Sequence, residues 1–199
     1  MQWLKSFFGG KPAAAESYVS RQVTHSNPLV IKNPKIGFLN LIGASASPLE
    51  LEDVTALKPL FSSCLKSDRD APICDVLMIY ATIKADGVIQ NTAYSLRELI
   101  TKSRAPIVVV ATENSVESYI AASKSTGLGK ANLVMTMTRN GQIFPNFFKE
   151  LFGMMHHGVT MPMAWVKLAP QIPGGEQDNV QDNVPETVCA MEVTHVLFK

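Results

Sequence analysis

Residues 105–139 read APIVVVATENSVESYIAASKSTGLGKANLVMTMTR, and this stretch decides the fold. The run 106–111 is apolar throughout, as a strand covered on both faces requires. A polar break, Thr112-Glu113-Asn114-Ser115, follows it and supplies Ser115 as a helix N-cap. The next segment is an amphipathic helix with Val116, Tyr119 and Ile120 toward the sheet and Ser118 on its polar face. Gly127 and Gly129 end that helix. Asn132–Thr138 then returns as a second strand. A β-α-β unit of this kind implies a parallel sheet.

The same rhythm extends outward in both directions. Residues 35–42, KIGFLNLI, form a core strand that exits into the small-residue loop 43–48. Leu51, Val54, Leu57, Phe61 and Cys64 recur at helical spacing, and Pro59 kinks or restarts that helix. After a charged loop at 67–72, residues 75–83 (DVLMIYATI) form another core strand. A turn at 84–87 leads to a helix over 95–102 with Leu96, Leu99 and Ile100 inward. Beyond residue 138, a helix over 145–156 carries the stripe Phe144, Phe147, Phe148, Leu151, Phe152 and Met155, closed by Gly158. Pro162 opens a further helix bearing Met163, Trp165 and Val166, which Pro170 stops. The polar segment 173–186, with its tandem Gln-Asp-Asn-Val, predicts a mobile loop. Residues 187–198 (TVCAMEVTHVLF) form a final strand. The order is β-α-β-α-β-α-β-α-α-β, preceded by an N-terminal aromatic segment and linker at 1–34, in which 17–23 is a weak edge strand. The predicted fold class is three-layer α/β/α with a mostly parallel central sheet, and residues 35–199 form one domain.

Bulk properties narrow the function classes. The chain has 199 residues, 46% of them hydrophobic, enough for a core without staples. Its net charge is +1 and its pI about 7.7. With no long basic run, binding to nucleic acid through phosphates is disfavoured. Cys64, Cys74 and Cys189 form no CxxC pair, which suits reduced thiols in a cytoplasmic protein. No apolar run approaches the ~18 residues of a membrane span. His156 and His157 are adjacent, so they do not share a helix face and make a poor metal site. Gly127-Leu128-Gly129-Lys130 lacks the P-loop spacing and follows a helix, and no dinucleotide-binding turn is present. No metal or cofactor is therefore expected. The N-terminus, MQWLKSFFGG, sets Trp3, Leu4, Phe7 and Phe8 on one helical face. It reads as a packed or frayed tail, or alternatively as a short helix docking to a membrane surface or a partner through residues 1–8.

Ligands of open parallel sheets bind beyond the carboxyl ends of the strands. The exits here offer Ser45, Thr82, Asp86, Thr112, Glu113, Asn114 and Arg139. Arg139 and the helix N-terminus after Thr112 suit a small anion. The loop GASAS around Ser45 is similar to a nucleophile elbow, but Ser47 stands where the elbow has its last glycine. Its histidine partner is missing, since His195 falls within the final strand. A different kind of site is a binding face of adaptable methionines, Met154, Met161 and Met163, together with Trp3, Phe7 and Phe8.

From residue 75 to residue 171 the layout resembles the CHAT peptidases, relatives of caspases. In that family one strand ends in a His-Gly carrying the catalytic base, and the next main strand ends in a Ser-Ala-Cys-Glu-Thr-like run carrying the nucleophile. Val109-Val110-Ala111-Thr112-Glu113-Asn114-Ser115 occupies the nucleophile position, with Thr112 in place of cysteine. Ile79-Tyr80-Ala81-Thr82 occupies the base position and contains no histidine. The segment 147–171 is similar to the family's later helix pair. The resemblance implies a caspase-like fold as the alternative to a flavodoxin-like one, and a catalytically silent version of it. A Cys-His protease needs a thiolate and an imidazole in reach of one another. The expected function is a non-catalytic module acting through another protein. The alternatives are a ligand-binding or hydrolytic enzyme using the strand-end crevice, and a peripheral membrane subunit.

Overall fold

Four apolar runs become adjacent parallel strands because each can be covered on both faces. The computed structural model describes residues 27–123, 131–139, 141–168, 186–190 and 195–199. The central sheet comprises β2 (Lys35–Asn40), β3 (Ser63–Ser67), β4 (Val76–Tyr80), β5 (Ile107–Val110), β6 (Asn132–Thr138) and β7 (Glu186–Ala190). Its order is β3-β2-β4-β5-β6-β7, with β7 antiparallel to β6 and every other pair parallel. The five parallel strands thus lie in the order 2-1-3-4-5, the flavodoxin-like winding whose switch point falls between the first and third strands. A separate two-stranded parallel sheet joins β1 (Leu29–Ile31) to β8 (Val196–Phe198). The three-layer α/β/α expectation holds.

Two hydrophobic clusters cover the sheet. On one face lie α1 (Ser47–Leu57), α4 (Ile143–His156) and α5 (Met161–Leu168), around Phe38, Met78, Val109 and Val134. All six residues of the α4 stripe are buried. On the other face α2 (Leu96–Ser103) packs on Leu77, Ile79, Val108 and Leu133. Ser95 and Glu98 form a reciprocal capping box at its start, which satisfies two orphan amides. The helix α3 (Val116–Ser123) follows β5.

Several expectations need correction. The helical pattern through Cys64 ends at Leu57. Pro59 falls in a short 3-10 turn, and Cys64 lies in β3. Phe61 and Cys64 do pack on the core, but from extended chain. The half-exposed β3 lacks a continuous apolar run, and only its pairing with β2 identifies it as a strand. The phase of α1 also differs, since Leu51 is 63% exposed whereas Asp53 is fully buried. Ile120 is exposed on α3 and Ser118 is buried, the reverse of the predicted facing. The final strand is two strands in two sheets. Residues 29–31, assigned to the linker, pair with β8. The weak strand at 17–23, the glycines 127 and 129, and the loop at 173–185 lie outside the described residues, as does the N-terminal segment. No helix of the described residues is long and apolar enough to cross a membrane.

Crossing from β3 to β4 takes the chain over β2 without a helix, through residues 68–75. A loop can lie this close to a strand only where the strand presents no side chain. Gly37 meets that need: a Cβ there would come within 2.6 Å of both Pro72 Cγ and Cys74 Sγ. Gly37→Ala should therefore lower unfolding free energy by about 1–3 kcal/mol, an overpacking cost. Urea denaturation checks this, and an unchanged midpoint would show that the loop moves aside freely.

Candidate functional site

Parallel pairing places one residue from each strand in rows across the sheet. The row Phe38, Met78, Val109 and Val134 is wholly apolar. At the carboxyl edge Asn40 pairs with Tyr80, and the same register continues to Ala111 and Thr136. The small side chain of Ala111 leaves room above the middle of this edge row. A buried charge cluster fills it.

Asp53 descends from α1 and is fully buried. Arg139, just after β6, meets it bidentately, with Nη2 donating to Oδ1 at 2.7 Å and Nη1 to Oδ2 at 3.1 Å. The two side chains are 0% and 4% exposed. Nη1 also donates to the Ala111 carbonyl at 2.9 Å, and Tyr80 donates its hydroxyl to Asp53 Oδ2 at 2.6 Å. The Arg139 guanidinium lies 4.0 Å over the Phe144 ring. A planar fork that is weakly hydrated suits such a site better than lysine would. Burial pushes the Asp53 carboxyl above its ordinary 3.8, although Arg139 and Tyr80 pull it down. Burial and the neighbouring Asp53 raise the Tyr80 phenol, so it stays a donor.

A second cluster lies at the exits of β4 and β5. The Thr112 hydroxyl accepts from Ala81 N at 3.1 Å and donates to Ala81 O at 2.5 Å. Asn114 Oδ1 accepts from Ile83 N at 2.7 Å, while Nδ2 donates to Thr112 O at 2.9 Å. Ser118 donates to Ile83 O at 2.7 Å. Thr112, Asn114 and Ser118 are all buried. Together they replace a missing strand ladder: three side chains bond the backbone of Ala81 and Ile83 where β4 has ended. Glu113 turns outward and accepts from Arg139 N at 2.7 Å. Ser115 caps α3 by accepting from Ser118 N at 3.3 Å, as the sequence suggested.

The seven predicted crevice residues thus fall in different places. Thr112, Asn114 and Arg139 are buried and hydrogen-bonded inward. Thr82 is exposed. Asp86 is exposed on the 84–87 turn, where Oδ1 accepts from Val88 N at 3.0 Å. Ser45 is exposed in the 3-10 turn after β2 and donates to Ile42 O at 3.4 Å. That turn links β2 to α1. Of the predicted binding methionines, Met161 is buried, Met154 is half-buried and Met163 is 51% exposed. Trp3, Phe7 and Phe8 lie outside the described residues. Asp53 and Tyr80 are the members of the charge cluster that sequence reasoning missed.

The chemistry of the exit follows from these partners. Thr112 is held by backbone groups and makes no described contact with a base. His156 packs on Phe198 at the far end of α4, with ring centroids 5.1 Å apart. That end is about 20 Å from the strand exits, given a 1.5 Å rise over 14 residues. His195 immediately precedes β8. Burial first, and then the Asp75 charge, push the Cys74 thiol up to about 12, so it is no thiolate. Burial also raises Cys64. No group of three or more His, Cys, Asp or Glu side chains is arranged to hold a metal among the described residues.

Thr112→Val keeps the shape and removes the hydroxyl, leaving the Ala81 amide buried without a partner. Denaturant unfolding should show a loss of about 1–3 kcal/mol. The Asp53 shift carries a sign. A raised carboxyl means that the folded protein binds this proton more readily than the unfolded chain. Between pH 3.8 and the raised folded value, this group's contribution to stability therefore falls as pH rises. Asp53→Asn should abolish that part of the pH dependence in unfolding measured across acidic pH, and an unaltered profile would contradict it.

No protein-family model and no curated protein matches this chain.

Proposed function

We propose that this chain is a non-catalytic, caspase-like α/β module that acts through contact with another protein. The observation that carries the reading is the use made of Thr112. In the resembling peptidases a thiol stands at this strand exit with a base beside it. Here a hydroxyl stands there and is engaged on both sides by the Ala81 backbone, at the position the base would occupy. Arg139, the cation that follows β6, is paired with a buried carboxylate. Such groups serve the fold and are not presented to a substrate.

A docking face is supported by α5. Its inward residues Met161, Ala164 and Leu168 are buried, whereas Met163 and Val166 are 51% and 57% exposed. They lie three residues apart, on one side of the helix. Trp165 is braced edge-on against Phe147 at 5.1 Å, which fixes the orientation of that helix. A flexible thioether beside a fixed aromatic is a surface that adapts to a partner.

Two measurements test the two halves of this reading. Incubated with peptide libraries and with thiol- or hydroxyl-directed inhibitors, the protein should show neither turnover nor labelling. Turnover that disappears in Thr112→Ala would refute the non-catalytic half. A photo-crosslinking residue at position 163 should give one discrete adduct in lysate of the source cells, lost in Val166→Glu at unchanged melting temperature. The same crosslinker at exposed Leu51 should give none. Equal yields from both positions would refute the docking half.

A further inference from the structure

A groove of about 490 Å³ lies between the 84–87 turn, the first turns of α2 and the exposed side of α3. That volume is within the range of small-molecule sites. Its floor is aliphatic, from Ala85, Ile120 and Ala121, and its charged lining is Asp86, Arg97 and Glu117. Each charge comes from a different element. The ion pairs of the described residues are Lys66–Glu50, Arg69–Asp68 and Arg139–Asp53, so none of these three charges is in one. Backbone contacts orient two of them. Val88 N holds Asp86 Oδ1, and Arg97 Nη2 reaches Ala121 O at 3.5 Å, which leaves the other guanidinium nitrogens available. Glu117 sits in the first turn of α3, where its own backbone amide and then the Ser115 side chain hold its carboxyl below the usual range and therefore ionised. The groove also lies beyond the carboxyl ends of β4 and β5, where sheets of this winding take ligands.

A guanidinium and two carboxylates around an aliphatic floor are complementary to a zwitterion that carries an apolar group. We propose that this groove binds a free α-amino acid with an aliphatic side chain. Its carboxylate meets Arg97 as a planar fork, its ammonium meets Asp86 and Glu117, and its side chain lies on Ile120 and Ala121. The inference is independent of the docking reading of α5. Because all three charges are solvated, binding is weak, with Kd on the order of 1 mM.

Titration of the ¹⁵N-labelled full chain with L-leucine tests this. Saturable shifts are expected at the amides of Asp86, Arg97, Glu117 and Ala121. N-acetyl-leucine, which lacks the ammonium, and leucinamide, which lacks the carboxylate, should each bind at least about tenfold more weakly. Arg97→Gln, an exposed substitution checked by its unchanged melting temperature, should abolish saturation by leucine. The proposal is overturned by the absence of saturable shifts up to about 50 mM, by shifts confined to other regions, by equal binding of the two derivatives, or by an Arg97→Gln chain that binds as before.

Discussion

The contact between Asp53 and Arg139 joins parts of the chain 86 residues apart at the carboxyl edge of the sheet. It ties α1 to the end of β6 and, through Ala111 O and Tyr80, to β5 and β4. Two charges in such a place are expensive to bury, and only bidentate geometry with further hydrogen bonds offsets that cost. Those bonds are present on both partners. The arrangement also depends on a small residue in the middle of the edge row, since a larger side chain at Ala111 would fill the space the charges occupy. Immediately below it the row Phe38, Met78, Val109 and Val134 is wholly apolar, and above it the chain turns to polar loops. The pair therefore marks the level at which the core ends.

A second constraint works beside it. Where β4 stops, Thr112, Asn114 and Ser118 take over the backbone hydrogen bonds of Ala81 and Ile83. Sheets of this winding commonly present chemistry at this position. This chain uses the same positions to complete its own backbone. That gives the non-catalytic reading a physical basis beyond the mere lack of a cysteine and a histidine, because a side chain locked on both sides by main chain is a poor nucleophile.

Much of this fold was legible in the sequence, for stated reasons. β6 was placed to the residue, because a run of apolar residues and threonines follows Asn132 after the Gly-rich sequence at 127–129. The α4 stripe was clear because six large apolar residues share one face. β3 was not legible. Its five residues are half-exposed, and Pro59 left the helical pattern of Phe61 and Cys64 standing as an apparent continuation. β1 and β8 are three residues each, and only their mutual pairing makes them strands. Of the candidate site, Thr112 and Asn114 were placed at the exit of β5, and the sequence did not show that both side chains hold the backbone of Ala81 and Ile83. Asp53 was missed because a charge on a helix is assumed to face water. A signal was available: Asp53 lies four residues before Leu57, on the inward face, so a carboxylate interrupts an apolar stripe.

The central claim is that the charges at the sheet's carboxyl edge are committed to holding the fold. A double-mutant cycle of Asp53→Asn, Arg139→Gln and the pair, read by denaturant unfolding, tests it most directly. The account predicts that each single substitution costs about 3–5 kcal/mol by leaving a buried partner uncompensated. The double substitution should cost much less than the sum, with a coupling of about 2–3 kcal/mol. Single substitutions that cost under about 0.5 kcal/mol and simply add would mean that Asp53 and Arg139 are not bound to each other in the folded protein, and would contradict the account.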